Sequence, residues 1–391
     1  MDISILFWLL SASLLYLVGT SIILIRNRIE LTELPHDTAE NLNSKKISVC
    51  IPARNEENNI ATLLSSVFKQ TYVNYNVHVL DDRSTDQTPQ ILDEFRSLHP
   101  DRLYVHRGTT KPDDWLGKPW ACHQLGSLAD GEILLFVDAD TKLESDALAK
   151  INHTFAHYQL DMITVWPRQI LGSFWERTVI PLIYFALLTV LPSIYVYRKP
   201  RWMPQWIYTN FKDKFAAANG QCLAFTKEAY HKINGHQSVK QQIVEDVHLA
   251  KKIKREGLQL RMFTGMETIS CRMYKSESEM FEGLRKNFLA GFENSLPVFI
   301  IAAVLHIIVF LLPFFTLAWQ LISYNPPILF LSSAAISIIF IQRIIISIWF
   351  GWNPIYTFTH PIGVLWFQRL GFTKILDKMT GRNALWKGRE I

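Results

Sequence analysis

Three acidic clusters in the 391-residue chain have the residue types and spacing for chemistry on phosphates and hydroxyls. Asp81-Asp82-Arg83-Ser84-Thr85-Asp86 and Phe136-Val137-Asp138-Ala139-Asp140-Thr141 each follow an apolar run, and Val244-Glu245-Asp246-Val247 precedes Ala250, Ile253 and Gly257. Two carboxylates one residue apart, where a strand gives way to a turn, both reach a cleft. With a diphosphate they form the all-oxygen ligand set that Mg²⁺ or Mn²⁺ prefers, and such an ion offsets charge on a departing nucleoside diphosphate. A carboxylate at a cleft rim, such as Asp246, is also what deprotonating a hydroxyl requires. Singly, each cluster has a plainer reading. Asp, Ser and Thr after a strand build turns and helix caps, an isolated D-x-D is usually a solvated turn, and acidic residues in a first helical turn complement the dipole.

The elements that must position these carboxylates are legible as alternating patterns. Residues 47–52 read as a strand stopped by Pro52, followed by a helix with Ile60, Leu63, Leu64 and Val67 on one face. Further strands are expected at 77–80, 103–106 and 133–137, with helices over 87–97 and 118–129. This alternation predicts an α/β fold, a mostly parallel sheet covered on both faces, with ligands beyond the carboxyl ends of its strands. Acidic residues end two of these strands. Residues 29–45, polar and containing Pro35, read as a linker.

The apolar residues, 49% of the chain against 19% charged, are concentrated in three runs at 6–25, 296–322 and 328–350, the last interrupted by Gln342 and Arg343. Each is long enough to cross a hydrocarbon core of ~30 Å. The first lacks a basic leader and an Ala-x-Ala site, so it reads as a retained anchor rather than a cleaved signal. Arg26 and Arg28 follow it, Ser323 to Pro327 form an uncharged turn, and Lys374, Lys378, Arg382, Lys387 and Arg389 lie near the end. The positive-inside bias then predicts an integral cell-membrane protein with a cytoplasmic globular region. A fourth apolar run, 179–197, contains Pro181 and Pro192. Crossing there would separate Asp138 and Asp140 from Asp246, so two short interfacial helices broken by the prolines are expected, or else a helix buried in the globular domain. The net charge of +5 fits an anionic membrane surface, and no basic-aromatic pattern points to nucleic acid. Cys50, Cys122, Cys222 and Cys271 are too scattered for a disulfide or zinc pattern and read as buried or free thiols. The sequon Asn152-His153-Thr154 would go unused in the cytoplasm.

In order, Pro52-Ala53-Arg54-Asn55-Glu56-Glu57, Asp82-Arg83-Ser84-Thr85-Asp86, Asp138-Ala139-Asp140 and Glu245-Asp246 resemble the family-2 inverting glycosyltransferases of GT-A fold, over about residues 46–290. The resemblance implies a Rossmann-like mixed sheet with helices on both faces. It implies that Pro52, Ala53, Arg54, Asn55, Glu56 and Asp82 hold a nucleotide-sugar, that Asp138 and Asp140 face the diphosphate and a divalent cation (Mg²⁺ or Mn²⁺), and that Asp246 is the catalytic base. Arg83 stands where the family usually has glycine. Shorter motifs, Gly117-Lys118-Pro119-Trp120-Ala121-Cys122, Gly235-His236-Gln237-Ser238, Arg272-Met273-Tyr274, His360-Pro361 and Trp386-Lys387-Gly388-Arg389, are similar to those of bacterial carotenoid glycosyltransferases. They imply a lipid or isoprenoid acceptor, a carotenoid acid among them. Lys118 is expected at the donor phosphates, its plainer reading being an exposed lysine at a helix start. Gly220, Gln221, Glu245 and His236 are expected on the acceptor side, while His123, His236 and His360 lack metal-ligand spacing. The Q-x-x-R-W element of processive synthases is replaced by Glu282-Gly283-Leu284-Arg285-Lys286-Asn287, which favours single transfer. Alternatives are a polyprenyl-phosphate or glycerolipid acceptor, or a non-catalytic membrane scaffold.

Overall fold

Runs of Val, Ile and Leu build the sheet of the computed structural model, which describes residues 2–35, 44–292, 295–380, 385–386 and 389–390. Residues 36–43 of the expected linker, and Arg382, Lys387 and Gly388 of the basic tail and its motif, lie outside the described residues. The chain divides into two units: Glu30–Ile170 with Ser193–Met273, and Met1–Ile29 with Leu171–Pro192 and Tyr274–Ile391.

In the first unit the strands are β1 (Ile47–Ala53), β2 (Tyr75–Asp81), β3 (Leu103–Arg107), β4 (Ile133–Val137), β5 (Thr141–Leu143), β6 (Met162–Gln169), β7 (Cys222–Thr226) and β8 (Leu260–Cys271), in spatial order β3-β2-β1-β4-β7-β6-β8-β5. β3, β2, β1 and β4 are parallel; β7 runs against both β4 and β6, and β5 runs against β8. The sheet is therefore mixed, and its later half was not among the expected strands. Val49, Ile51, Val77, Val79 and Leu135 are fully buried in one cluster with Ile60, Leu63, Leu64 and Val67 of the helix Ile60–Val67, the predicted apolar face. Gly131 lets the turn into β4 lie on β1: a Cβ there would meet the Ser48 nitrogen at 2.5 Å and the Lys46 oxygen at 2.8 Å.

β1 continues through Pro52 to Ala53, beyond the expected stop. Its ladder with β4 ends at Cys50 opposite Phe136, while its ladder with β2 runs on to Ala53 opposite Asp81. Pro52 thus sits past the point where an N–H toward β4 is needed, which is how a strand tolerates proline.

The second unit is helical. Among its described residues three segments are long and apolar enough to cross a membrane: Ile3–Glu30, Leu296–Trp319 and Pro326–Trp349. The middle one is two helices, Leu296–Phe310 and Leu312–Trp319, with Pro313 at the start of the second. Polar side chains inside this unit stitch helices together. Gln342 donates through Nε2 to the Leu17 oxygen, Thr20 Oγ1 and Ser21 Oγ, and Asn27 donates to the Leu188 and Leu191 carbonyls.

Residues 171–192 and 274–290 fall in this helical unit, inside the range 46–290 that the sequence assigned to one domain. In place of two short proline-broken helices, Phe174–Val190 is a single helix that runs through Pro181, its start fixed by a Ser173–Glu176 capping box. Pro192 does separate it from the next helix, Ile194–Tyr197. Val179, Ile180, Leu182, Phe185 and Leu188 are buried, and Gly363 of the helix His360–Thr380 permits close approach. A Cβ there would lie 2.4 Å from Leu182 Cδ1 and 3.1 Å from the Thr178 oxygen.

Candidate active site

Two loops leave the carboxyl ends of β1 and β2 and are bonded to each other along their length. Arg54 Nη1 donates to the carbonyls of Asp82 (2.6 Å) and Arg83 (3.3 Å). The Asn55 N–H donates to Ser84 Oγ at 2.9 Å, and Asn55 Oδ1 accepts from the Thr85 N–H at 2.8 Å. The Glu56 N–H reaches Thr88 Oγ1 at 2.8 Å. Asp82 is buried, 4% exposed, and its N–H donates to the Ala53 carbonyl. Arg83 has φ +59°, the left-handed conformation that glycine adopts freely. The departure noted in the sequence therefore keeps the turn, at a cost on the order of 1 kcal/mol.

The third and fourth motifs meet around one ammonium. Lys118, at the start of the helix Gly117–Leu128, lies 2.7 Å from Asp138 Oδ1 and 3.1 Å from Glu245 Oε1. Burial opposes its charge, but Asp138 and Glu245 outweigh burial and hold Lys118 well above the usual lysine range. A Cβ on Gly220 would stand 3.3 Å from Asp246 Oδ2 and 3.4 Å from Lys118 Nζ, so Gly220, Asp246 and Lys118 share one small space. Asp246 lies in the first turn of the helix Glu245–Arg255, and its Oδ1 accepts from the Val247 N–H at 2.8 Å. Burial first, then the Glu245 charge, push its carboxyl up to about 7 against the opposing pull of Lys118. The lysine that reads as an exposed helix start is in fact the shared counter-ion of this cluster, its side chain 27% exposed.

Asp140 is fixed from behind by a chain of buried donors. Gln169 Nε2 donates to Gln221 Oε1 at 2.8 Å, Gln221 Nε2 donates to Cys271 Sγ at 2.9 Å, and the Cys271 thiol bonds the Asp140 carboxylate. Gln221, 4% exposed, is thus committed to this chain rather than open to an acceptor, although its carbonyl also receives the Asp138 N–H. His236 is likewise inward: it is 1% exposed, its Nδ1 bonds the Tyr230 hydroxyl at 2.9 Å, and its ring lies 4.8 Å from that of Phe136. As placed it braces the core, and burial pushes its pKa down to about 3. Of the four residues expected on the acceptor side, Gly220 and Glu245 adjoin the carboxylate cluster, whereas Gln221 and His236 support it. Cys271 and Gln169 were not singled out from the sequence, where Cys271 is one scattered thiol among four.

A divalent cation fits this arrangement. Asp140 Oδ1 is buried without a hydrogen-bond partner, and burial, with the charges of Asp138 and Glu56, pushes its carboxyl up to about 7. Among the described residues no group of three His, Cys, Asp or Glu side chains has the geometry to hold an ion alone. Asp138 and Asp140 would therefore hold it jointly with diphosphate oxygens and water, the usual manner for Mg²⁺.

Lys118→Met leaves Asp138 and Glu245 facing Asp246 without a counter-ion, at an expected cost of ~1–3 kcal/mol. Lys118 is the charge that opposes the upward push on Asp246, so its removal lifts that carboxyl further above its unfolded value, and the contribution of Asp246 is lost as pH rises. The melting midpoint of the variant should fall further below wild type at pH 8 than at pH 5. Equal deficits at both pH values would remove Lys118 from its counter-ion role.

Residues 48–225 match the family described as glycosyl transferase family 2. The chain is 29% identical over 263 residues to a 4,4'-diaponeurosporenoate glycosyltransferase of Staphylococcus haemolyticus, an alignment covering 65% of this chain and 64% of the relative. It is 28% identical over 270 residues to the enzyme of that name from Staphylococcus aureus, covering 68% and 66%. The match thus spans a little under two thirds of these relatives' length. In three dimensions the chain is similar to a mannosyltransferase from Pyrobaculum calidifontis solved with GDP-Man and Mn²⁺, at 18% identity and a TM-score of 0.56, over 92% of this chain and 99% of that one. That likeness identifies the fold as GT-A.

Proposed function

We propose that this chain, with its family 2 glycosyltransferase domain over residues 48–225, transfers a sugar from a nucleotide diphosphate sugar to a lipid-like acceptor at the membrane. The observation that carries this reading is the meeting of Lys118, Asp138, Glu245, Asp246 and Gly220 beyond the strand ends. Asp246 accepts the proton where the acceptor group is a hydroxyl; a carboxylate acceptor is already ionised, and Asp246 then serves to orient it. The acceptor oxygen then bonds the anomeric carbon from the face opposite the diphosphate, as the bond from that carbon to the phosphate oxygen breaks. The nucleoside diphosphate departs with the electron pair, and the anomeric configuration inverts. A divalent cation at Asp138 and Asp140, when bound, supplies positive charge to the departing diphosphate. Lys118 adds a fixed charge beside it, and the loops from Pro52 to Glu56 and at Asp82 hold the nucleotide.

The acceptor class is supported by the three apolar helices and by the staphylococcal relatives, named for action on 4,4'-diaponeurosporenoate, a carotenoid acid. A cytoplasmic placement follows from Arg26 and Arg28 after the first apolar run. Residues 30–170 and 193–273 share one compact unit, which supports residues 171–192 leaving it and returning without a net crossing.

Mass spectrometry of lipid extracts from cells supplied with an isoprenoid acid or alcohol, with and without the expressed chain, tests this reading. A new lipid heavier by one sugar residue is expected only with the chain, and only while Asp140 is intact. Unchanged extracts, together with no hydrolysis of any nucleotide sugar by the purified protein, would leave a non-catalytic scaffold.

A further inference from the structure

Among the described residues the largest fully buried side chain is a charged one. Arg343, in the helix Pro326–Trp349, is 1% exposed. Its Nε, Nη1 and Nη2 are all buried, and none has a hydrogen-bond acceptor among the described residues. Close by, near enough for the arginine charge to act on it, His360 is fully buried with both ring nitrogens equally unpartnered. The imidazole lies 5.6 Å from the rings of Phe185 and Phe310 and 6.2 Å from Phe314, so the surroundings are aromatic.

Thr178 Oγ1, Thr357 Oγ1 and Gln342 Oε1 of this unit also lack partners, but those groups are neutral, whereas Arg343 carries a full charge. Gln342, the adjacent residue, satisfies its amide nitrogen on three acceptors of the first helix. Among the described residues of this unit, the carboxylates that are not exposed are engaged elsewhere. Glu176 accepts from the N–H groups of Gly172 and Ser173, Glu277 from Trp366 and Arg369, and Asp377 from Arg285. A guanidinium keeps its proton at any ordinary pH. Leaving it buried without a counter-charge is heavily penalised, and ionisable groups within apolar helical bundles mark binding or transport sites.

We propose that this unit binds an amphiphile whose oxyanionic head, a carboxylate or phosphate, is held by Arg343, with His360 as a second polar contact. The planar guanidinium fork suits either oxyanion in a bidentate pair. Phe185, Phe310 and Phe314 suit an apolar chain beside it. The depth agrees: Arg343 stands ~9 Å along the helix from its end at Trp349, and Phe350 and Trp352 follow, the aromatic character of a headgroup boundary.

The test uses the full chain in zwitterionic detergent and in phosphatidylcholine nanodiscs. Native mass spectrometry reads retained lipid, and thermal unfolding is followed with added phosphatidylglycerol, palmitate or inorganic phosphate. Wild type should retain about one anionic amphiphile per chain and melt higher with phosphatidylglycerol or palmitate than in phosphatidylcholine alone. Which of the two acts more strongly identifies phosphate or carboxylate as the preferred head. Arg343→Met should stay folded, retain none and melt alike under all conditions, and Arg343→Lys should bind at least ~10-fold more weakly, since the fork is lost. The proposal fails if Arg343→Met retains as much anionic amphiphile as wild type. It also fails if wild type shows no preference over phosphatidylcholine, or if inorganic phosphate alone gives the whole stabilisation.

Discussion

Asp140→Ala is expected to abolish sugar transfer while leaving the chain folded and inserted. The carboxylate has a buried oxygen without a hydrogen-bond partner and is held by the Cys271 thiol, an arrangement that prepares it for a cation. Losing metal-borne stabilisation of the leaving group costs several kcal/mol in the barrier, and each ~1.4 kcal/mol is ten-fold in rate, so at least a ~100-fold loss is anticipated. Two further readings separate lost chemistry from lost fold. Because burial and the neighbouring carboxylates push Asp140 up to about 7 without metal, protons compete with the cation. Mn²⁺ affinity in the presence of nucleoside diphosphate should therefore fall as pH drops below 7, by up to ~10-fold per unit for one displaced proton, and Asp140→Asn should flatten that slope. The stability sign is the opposite of a salt-bridged aspartate. With its folded pKa above the unfolded value, Asp140 contributes stability that is present at low pH and lost as pH rises through about 7. Asp140→Asn should then melt no lower than wild type at pH 8 without metal. Near-normal turnover in the variant, or in excess chelator, would sink the metal assignment.

What the sequence disclosed about this site is what depends on neighbours along the chain. Val77, Val79, Leu80 and then Asp81-Asp82, or Ile133 to Val137 and then Asp138, mark strand ends by local pattern alone, and β2 and β4 end where those patterns end. The later strands were harder to read because their pairing is not local. β6 lies between β7 and β8, with Met162 opposite both Phe225 and Leu260, partners fixed only when the sheet closes. Beyond a register shift between Pro167 and Arg168, the β6–β8 pairing brings Cys271 opposite Gln169, while β5 sets Thr141 on its other side. That juxtaposition creates the Gln169–Gln221–Cys271–Asp140 chain, and no motif spacing encodes it. His236 misled for a related reason. A short motif suggested an acceptor contact, but the fold turns the ring toward Phe136 and Tyr230. Arg343 was visible only as an interruption of an apolar run, since whether an arginine snorkels to water or is enclosed depends on the helices around it.

Asp246→Asn should bind the donor about as well as wild type yet transfer sugar to a hydroxyl acceptor at least ~100-fold more slowly, the usual scale for a lost general base. The substitution keeps shape and most hydrogen-bonding capacity beside Gly220 and the Val247 N–H, so the donor loops at Asn55 and Asp82 are undisturbed. Burial and Glu245 push Asp246 up to about 7, and a base acts only when deprotonated. The wild-type rate should therefore climb with pH and level off above about 7. Asp140 also titrates near that value, so the profile is taken at saturating cation, which favours the ionised Asp140 and moves its proton to lower pH. An acid limb that persists there and vanishes in Asp246→Asn belongs to Asp246. Donor affinity measured beside single-turnover rate distinguishes the alternatives. If both fall together, Asp246 organises the site rather than removing the proton. If the rate stays within ten-fold of wild type, the natural acceptor arrives already ionised, as a carboxylate or a phosphate, and the carboxylate at position 246 would then serve to orient the acceptor beside Lys118 rather than to activate it.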